Sequence, residues 1–349
     1  NSRICEGLSV HYFITGHTGF KGSWMTLLLR ELGHEVSGFS LRAVEGGLFA
    51  LADLEERLKN NFIGDIRDLG AIKSALEISQ PDFAIHMAAQ PLVLRSYADP
   101  IETYTTNVEG TRNFLEAVTS LQRPPVSLVV TTDKVYRDDG QGAYVENDAL
   151  GGHDPYSASK AMADLLTQSW AATNPNLKIN IARAGNVIGA FDVSENRLIP
   201  DLVRAIQSGD TLTVRQPSAV RPWQHVLDCL TGYLLFLGAS NGGQALPIAL
   251  NFGPDPANIK SVSHLLEVAQ VAHQDLVILE DVSSGKPKET QLLTLDSTKA
   301  QSLLKWRNLI DFQDAVSWSL AELTVDEPLE LARSQVAAFL QRGAGKWLS

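Results

Sequence analysis

Two rhythms of apolar and polar positions alternate over the first 190 residues. Short β-like runs lie at 10–15, 35–39, 62–63, 83–86, 126–131 and 179–184. Between them lie longer stretches of helical character at 22–32, 69–78, 101–121 and 156–173. Gly33 closes the first of these and Pro100 opens another, where helix ends favour such residues. Repeated strand–helix alternation predicts an α/β fold, a doubly wound parallel sheet of Rossmann type covered by helices. After Gly189 the rhythm breaks: 199–208 and 226–237 read as helices, but polar and Gly/Pro-rich stretches such as Gly253-Pro254-Asp255-Pro256 intervene. The expectation is a dinucleotide-binding unit at 1–189, to which the chain returns at about 223–252. A smaller mixed α/β substrate unit would occupy most of 190–349, ending in a terminal helix at 328–349.

Composition narrows the function. The chain has 349 residues, 44% hydrophobic and 20% charged, the balance of a soluble globular protein. A net charge of −11 argues against general binding to nucleic acid or anionic membranes, while leaving room for a local basic pocket around a phosphorylated ligand. Cys5 and Cys229 offer neither a disulfide framework nor a Cys-x-x-Cys metal pair, and the histidines show no metal-ligand spacing. The densest apolar stretch, at 233–237, is far too short to span a bilayer. No signal-like segment precedes the first strand. A soluble, cytoplasmic, metal-free protein is expected.

The first strand runs into Thr15-Gly16-His17-Thr18-Gly19-Phe20-Lys21-Gly22 and then a helix. Glycines at 16, 19 and 22 suit a tight turn, close backbone approach to a pyrophosphate and intimate helix–sheet packing, beneath a helix N-terminus of positive potential. Three glycines alone would fit a plain strand–helix turn; their place at the first βα junction makes a dinucleotide loop the stronger reading. Asp65 and Ile66 follow the third strand, where an acid could hold an adenine amino group. Ala88, Ala89 and Gln90 follow the fourth, and Asn107 lies in the next helix. Ser40 ends the second strand where an Asp or Glu on a ribose 2′-hydroxyl is expected, and nearby Arg42 could accept a 2′-phosphate. The chemistry therefore leaves NAD and NADP both open.

Tyr156-Ser157-Ala158-Ser159-Lys160 opens a helix, and residues four apart share one face. The lysine charge and the helix N-terminus are expected to lower the phenol pKa, so that Tyr156 could take a proton from a sugar hydroxyl. Thr132, Asp133 and Lys134 follow the fifth strand at its carboxyl end, the side on which doubly wound sheets bind ligands.

With these motifs assembled, the chain resembles the extended short-chain dehydrogenase/reductase superfamily from about Val10 to Gly253, and within it the CDP-glucose 4,6-dehydratases. The glycine loop and Tyr-x-x-x-Lys specify the superfamily. The narrower likeness rests on Gly16 to Trp24, Thr132-Asp133-Lys134, Gly151 to Ser157, and Arg221-Pro222-Trp223-Gln224-His225-Val226. Dehydratases for dTDP-glucose or GDP-mannose carry a glutamate where this chain has Lys134.

The resemblance implies a redox-neutral cycle on a tightly held NAD. Tyr156, assisted by Thr132, would deprotonate the 4-hydroxyl as hydride leaves carbon 4. A neutral Lys134 would remove the carbon-5 proton, a protonated Asp133 would release the 6-hydroxyl as water, and hydride would return to carbon 6. Lys160 would bind the nicotinamide ribose. Gly16, His17, Thr18, Gly19, Phe20, Lys21, Gly22, Ser40, Asp65, Ile66, Ala88, Ala89, Gln90, Asn107, Tyr156 and Lys160 become the candidate cofactor contacts. Gln90, Asn186, Arg197, Arg215 and Arg221 become the candidate sugar-nucleotide contacts, with CDP-glucose the implied substrate. The likeness also implies a homodimer built from the helices at 101–121 and 156–173.

Two segments depart from that pattern. Ala190-Phe191-Asp192-Val193 stands where further glycines and Asp-Trp are expected, and 137–144 lacks the expected tryptophans. A sugar-nucleotide epimerase would share the fold and the Tyr156–Lys160 pair but would need no Asp133-Lys134. A net dehydrogenase would exchange its cofactor at every turnover. A non-catalytic NAD sensor would need no phenol–lysine pair.

Overall fold

A computed structural model describes residues 9–138, 142–214, 216–280 and 293–344. Its centre is a seven-stranded sheet of β1 (His11–Thr15), β2 (Glu35–Ser40), β3 (Asn60–Ile63), β4 (Phe83–His86), β5 (Val126–Val130), β6 (Ile179–Ala184) and β7 (Ala249–Phe252). All neighbours pair in parallel, in the order 3-2-1-4-5-6-7. The strands therefore point their carboxyl ends to one edge, and the order reverses between β1 and β4. That reversal opens a crevice.

Side chains alternate across each strand, so Tyr12 and Ile14 join one core and Phe13 the other. The first core is covered by α1 (Phe20–Glu31) and Val226–Asn241, with the terminal helix Pro328–Gly343 packed against α1. The second is covered by α2 (Leu69–Ser79), Gly110–Thr119 and Pro155–Thr173. Beyond β6 the chain adds short paired strands, including Val220–Pro222 with Ile259–Ser261, and the helices Leu198–Ser208, Val262–Ala272 and Phe312–Leu320.

The predicted strands at 83–86 and 179–184 match the structure, and the short run at 62–63 grows to Asn60–Ile63. Two features differ. The continuous helix expected at 101–121 is Pro100–Tyr104, a π-helical turn Thr105–Glu109, and Gly110–Thr119. Its start is set by Asp99, whose carboxylate caps the amide of Glu102 at 2.8 Å. The short helix Val93–Ala98 was not predicted, because six residues carry too little periodicity to register.

Packing explains two of the glycines. Gly16 takes φ +76°, and a β-carbon there would lie 2.8 Å from the backbone nitrogen of Ala88 on the neighbouring strand's exit loop. A β-carbon at Gly22 would overlap the carbonyl oxygen of Gly16. Gly22→Ala is expected to cost about 2 kcal/mol or more by urea unfolding, the range for forced overpacking. Gly19→Ala, at φ −78° with its nearest new neighbour at 3.4 Å, is expected to cost far less.

Candidate active site

The crevice is stitched across the β1–β4 reversal by buried polar groups. Thr15 and His86 face each other at 2.8 Å, and the Thr15 hydroxyl also accepts from the amides of Met87 and Ala88 at 3.2 Å. The far nitrogen of His86 meets Thr111 at 3.1 Å. Burial holds this imidazole neutral, with its pKa lowered to about 3. Asn107, inside the π-helical turn, accepts from the Gln90 amide at 2.8 Å and donates to the Gln90 carbonyl at 3.1 Å and to Ser159 at 2.9 Å. It therefore joins the β4 exit loop to the helix that carries Tyr156. The extra residue of a π turn re-aims one side chain, here Asn107.

The backbone at the glycine loop fits a dinucleotide. Gly16 and Gly22 leave open the space that β-carbons would fill, and the first turn of α1 holds neither an acidic residue nor a side-chain cap. Its amides and dipole thus suit a pyrophosphate. Thr18 meets Ser40 at 2.8 Å and donates to the Leu41 carbonyl at 2.9 Å, which closes the loop against the end of β2. Asp65 is half-buried and paired with Arg67, whose side-chain hydrogen bonds, then its amide and charge, hold the carboxyl below its ordinary range. Ile66 is buried under Gly110.

Two candidate contacts commit their side chains to protein partners. The His17 ring turns away from the loop's ligand side: it is buried against Gly38 and Phe49 and bonds Asn61 at 2.8 Å. Burial lowers its pKa to about 4, and only its backbone can serve a ligand. The Gln90 amide is likewise committed, donating to Thr103 at 2.8 Å and accepting from the Leu92 amide at 2.6 Å. It leaves the crevice to Ala88 and Ala89.

At the carboxyl end of β5, Thr132 donates to Asp133 at 2.8 Å, and its hydroxyl acts on the Tyr156 phenol to lower the phenol's pKa. Asp133 lies in the turn Asp133–Val135 with its carboxyl packed on Gly185, where a β-carbon would sit 3.0 Å from Oδ2 and 4.0 Å from Pro222. Burial raises the Asp133 pKa despite the opposing charges of Lys134 and Lys21. The group therefore tends to keep its proton. Asp154 caps the helix Pro155–Thr173 through the amide of Ser157 at 2.9 Å, and Pro155 begins it, so Tyr156 stands in its first turn. One turn later, Lys160 donates to the Val130 carbonyl at 2.8 Å. Burial, then the charge of Lys21, lower the Lys160 pKa to about 8.

The expected depression of the phenol is not found. Burial of Tyr156 outweighs its hydrogen bond to Thr132 and the charge of Arg197, and raises its pKa to about 12. Sequence spacing brought the lysine near but carried no measure of desolvation.

Among the substrate candidates, Arg197 is half-buried, lies 3.9 Å from Asp192 and acts on Tyr156 through its charge. Arg221 lies on the strand whose Pro222 borders Asp133 and Gly185, and Asn186 is exposed beside Gly185. Arg215 lies outside the described residues, as do 139–141 of the altered loop. Sequence reasoning missed Tyr233, which meets Lys21 at 3.5 Å. It also missed Asp164, which the same four-residue spacing from Lys160 could have flagged. Among the described residues no group of three His, Cys, Asp or Glu could hold a metal, and no helix is long and apolar enough to cross a membrane.

The model of the NAD dependent epimerase/dehydratase family matches residues 12–253. The chain belongs to that family. Among the family's dehydratases, the CDP-glucose 4,6-dehydratase of Salmonella typhimurium is 35% identical over 344 residues, covering 94% of this chain and 95% of that protein. A dTDP-glucose 4,6-dehydratase of Xanthomonas campestris is 28% identical, over 90% of this chain and 92% of that one. A dTDP-glucose 4,6-dehydratase from Streptomyces venezuelae, crystallised with NAD, superposes with a TM-score of 0.75 at 26% identity, covering 90% and 97% of the two chains. Family membership accounts for the glycine cradle and the tyrosine–lysine helix.

The altered strap at 190–196 is built differently from the expected glycine-rich turn. Phe191 takes φ +64°, a conformation that disfavours bulky side chains, and its amide donates to half-buried Glu322 at 2.9 Å. Burial and nearby Asp192 raise the Glu322 pKa to about 7. The folded chain therefore binds this proton more tightly than the unfolded chain, and stability falls as pH rises from the ordinary glutamate value towards 7. Glu322→Gln is expected to raise the thermal midpoint by about 2 °C or more at pH 8, with the gain vanishing near pH 5. Scanning calorimetry at both pH values checks this.

Proposed function

We propose that this chain is a nucleotide-sugar 4,6-dehydratase, a hydro-lyase that converts CDP-D-glucose to CDP-4-dehydro-6-deoxy-D-glucose and water. The observation that carries the reading is Asp133: a buried carboxyl of raised pKa that accepts from Thr132 at 2.8 Å and packs on Gly185, with Lys134 next in the turn. Epimerisation needs no such acid. Elimination of water does.

NAD, held by the glycine cradle, supplies a hydride acceptor that is regenerated within the cycle and a positive charge near the phenol. Thr132 and Tyr156 take the proton of the sugar 4-hydroxyl, and the charge of Arg197 favours the phenolate. Lys134 takes the carbon-5 proton made acidic by the neighbouring ketone. Asp133 gives its proton to the departing 6-hydroxyl. Lys160, fixed on the Val130 carbonyl, faces the tyrosine's side of the helix and holds the ribose. Arg197 and Arg221 suit the diphosphate, since guanidinium forks match phosphate oxygens.

The reading includes a cytoplasmic homodimer. Tyr97, Ile101, Met162 and Leu165 leave apolar surface exposed on Val93–Ala98, Pro100–Tyr104 and Pro155–Thr173, the helices a two-fold bundle would use. Ile101→Arg combined with Leu165→Arg is expected to give a monomer in sedimentation velocity.

Mass spectrometry of CDP-glucose incubated with the protein and NAD tests the activity, with dTDP-, GDP- and UDP-glucose in parallel. Loss of one water from the CDP-sugar without NADH build-up is expected. Unchanged mass with inverted configuration at carbon 4 would replace the reading with epimerase. Tyr156→Phe is expected to lower kcat by about 100-fold or more. In D2O, Lys134→Ala is expected to abolish deuterium entry at carbon 5 while leaving CDP-glucose binding in place.

A further inference from the structure

The catalytic residues sit on two pieces of chain that must keep register: the segment Thr132-Asp133-Lys134 after β5 and the helix Pro155–Thr173. One fully buried ion pair touches both. Asp164 lies two turns beyond Tyr156 and one beyond Lys160, on the same helical face. Its carboxylate takes both arms of Arg183 from β6, at 2.9 Å from Nε and 2.8 Å from Nη2, and accepts from the Thr131 hydroxyl at 3.1 Å. The remaining arm of Arg183 donates to the Tyr136 hydroxyl and to the Glu146 carbonyl, each at 2.9 Å. Tyr136 in turn donates to Asn251 of β7 at 2.7 Å.

Thr131 and Tyr136 flank the catalytic segment on either side. We infer that the Asp164–Arg183 pair is a positioning element for the reaction. Through the carboxylate it holds one end of the segment, through the guanidinium the other, and it locks both to the helix bearing Tyr156 and Lys160. Two arguments support this over a purely structural ion pair. A buried pair contributes little net stability compared with apolar side chains of the same volume, so its charges are better explained by the geometry they impose. The second argument is where the bonds go. Besides the pair itself and the Gln168 side chain, which donates to Asp164 at 2.7 Å from one turn along the same helix, they run to Thr131 and Tyr136 at the segment's two ends and to the Glu146 carbonyl. Glu146 adds a brace of its own, accepting from the Asn251 amide at 3.1 Å and pairing with Lys299 at 3.0 Å.

The inference rests on the dehydratase reading, and its test separates the two. Substituting Asp164 or Arg183 would strand a buried charge and endanger folding, so the test cuts the outgoing bonds instead. Thr131→Val and Tyr136→Phe remove one hydroxyl each and keep the shape. In the NAD-loaded enzyme acting on CDP-glucose, each is expected to lower kcat by about tenfold with KM within twofold, since small misplacement of reacting groups is costly. Thr131→Ser is expected to recover most of the loss. Both isosteric variants keeping kcat within twofold of wild type while the thermal midpoint falls would overturn the inference. Loss of activity that merely follows the unfolded fraction would do the same. Should the unmodified protein convert no nucleotide sugar, the dehydratase reading fails. The clamp is then judged by amide hydrogen exchange over 132–135: at least tenfold faster in both variants if it holds, and unchanged if it does not.

Discussion

Parallel pairing of β1 with both β2 and β4 is the constraint on which this structure depends. A parallel neighbour can be reached only through a crossover, and crossovers are right-handed, so successive units running outward in both directions from β1 place their helices on opposite faces. At the reversal no helix covers the strand ends. The exits of β1 and β4 meet there, close enough that Gly16 tolerates no β-carbon against Ala88. The cradle, the Thr15–His86 bond and the alanines after β4 are consequences of that approach.

Desolvation sets the chemistry around the crevice. The same burial that packs the site raises the phenol of Tyr156 and the carboxyl of Asp133 and lowers the amine of Lys160. Each shift favours the neutral form, as removal from water demands. For Asp133 that is the form an acid needs. For Tyr156 it is the opposite of the form that the proposed dehydration requires of a base, and the charge of Arg197 works towards the phenolate.

The segment at 190–196 and the buried pair beneath the Thr132-Asp133-Lys134 turn show two ways of fixing loops at a candidate site. The strap meets Phe191, in a left-handed conformation, with a single half-buried carboxylate, Glu322, whose proton affinity makes the arrangement pH-sensitive. Asp164 and Arg183 use a forked, fully satisfied pair that binds five elements of chain at once.

Strand and helix order, the glycine cradle, the Thr132-Asp133-Lys134 turn and the Tyr156–Lys160 face were legible because each depends on local spacing: period two, period 3.6, or a turn that only glycine can make. Other features belonged to the tertiary structure alone. Whether His17 and Gln90 face a ligand was decided by which partners, Asn61 and Thr103, the fold brought to them. The π turn that aims Asn107 reflects contacts with Gln90 and Ser159 on two other elements. The raised pKa of Tyr156 and Asp133 and the lowered pKa of Lys160 follow from burial, a property of the assembled surface and not of neighbours in sequence. The links from Arg183 to Asp164 and Tyr136 join residues that no periodicity relates, since side chains from adjacent strands and an overlying helix meet only once the sheet has formed.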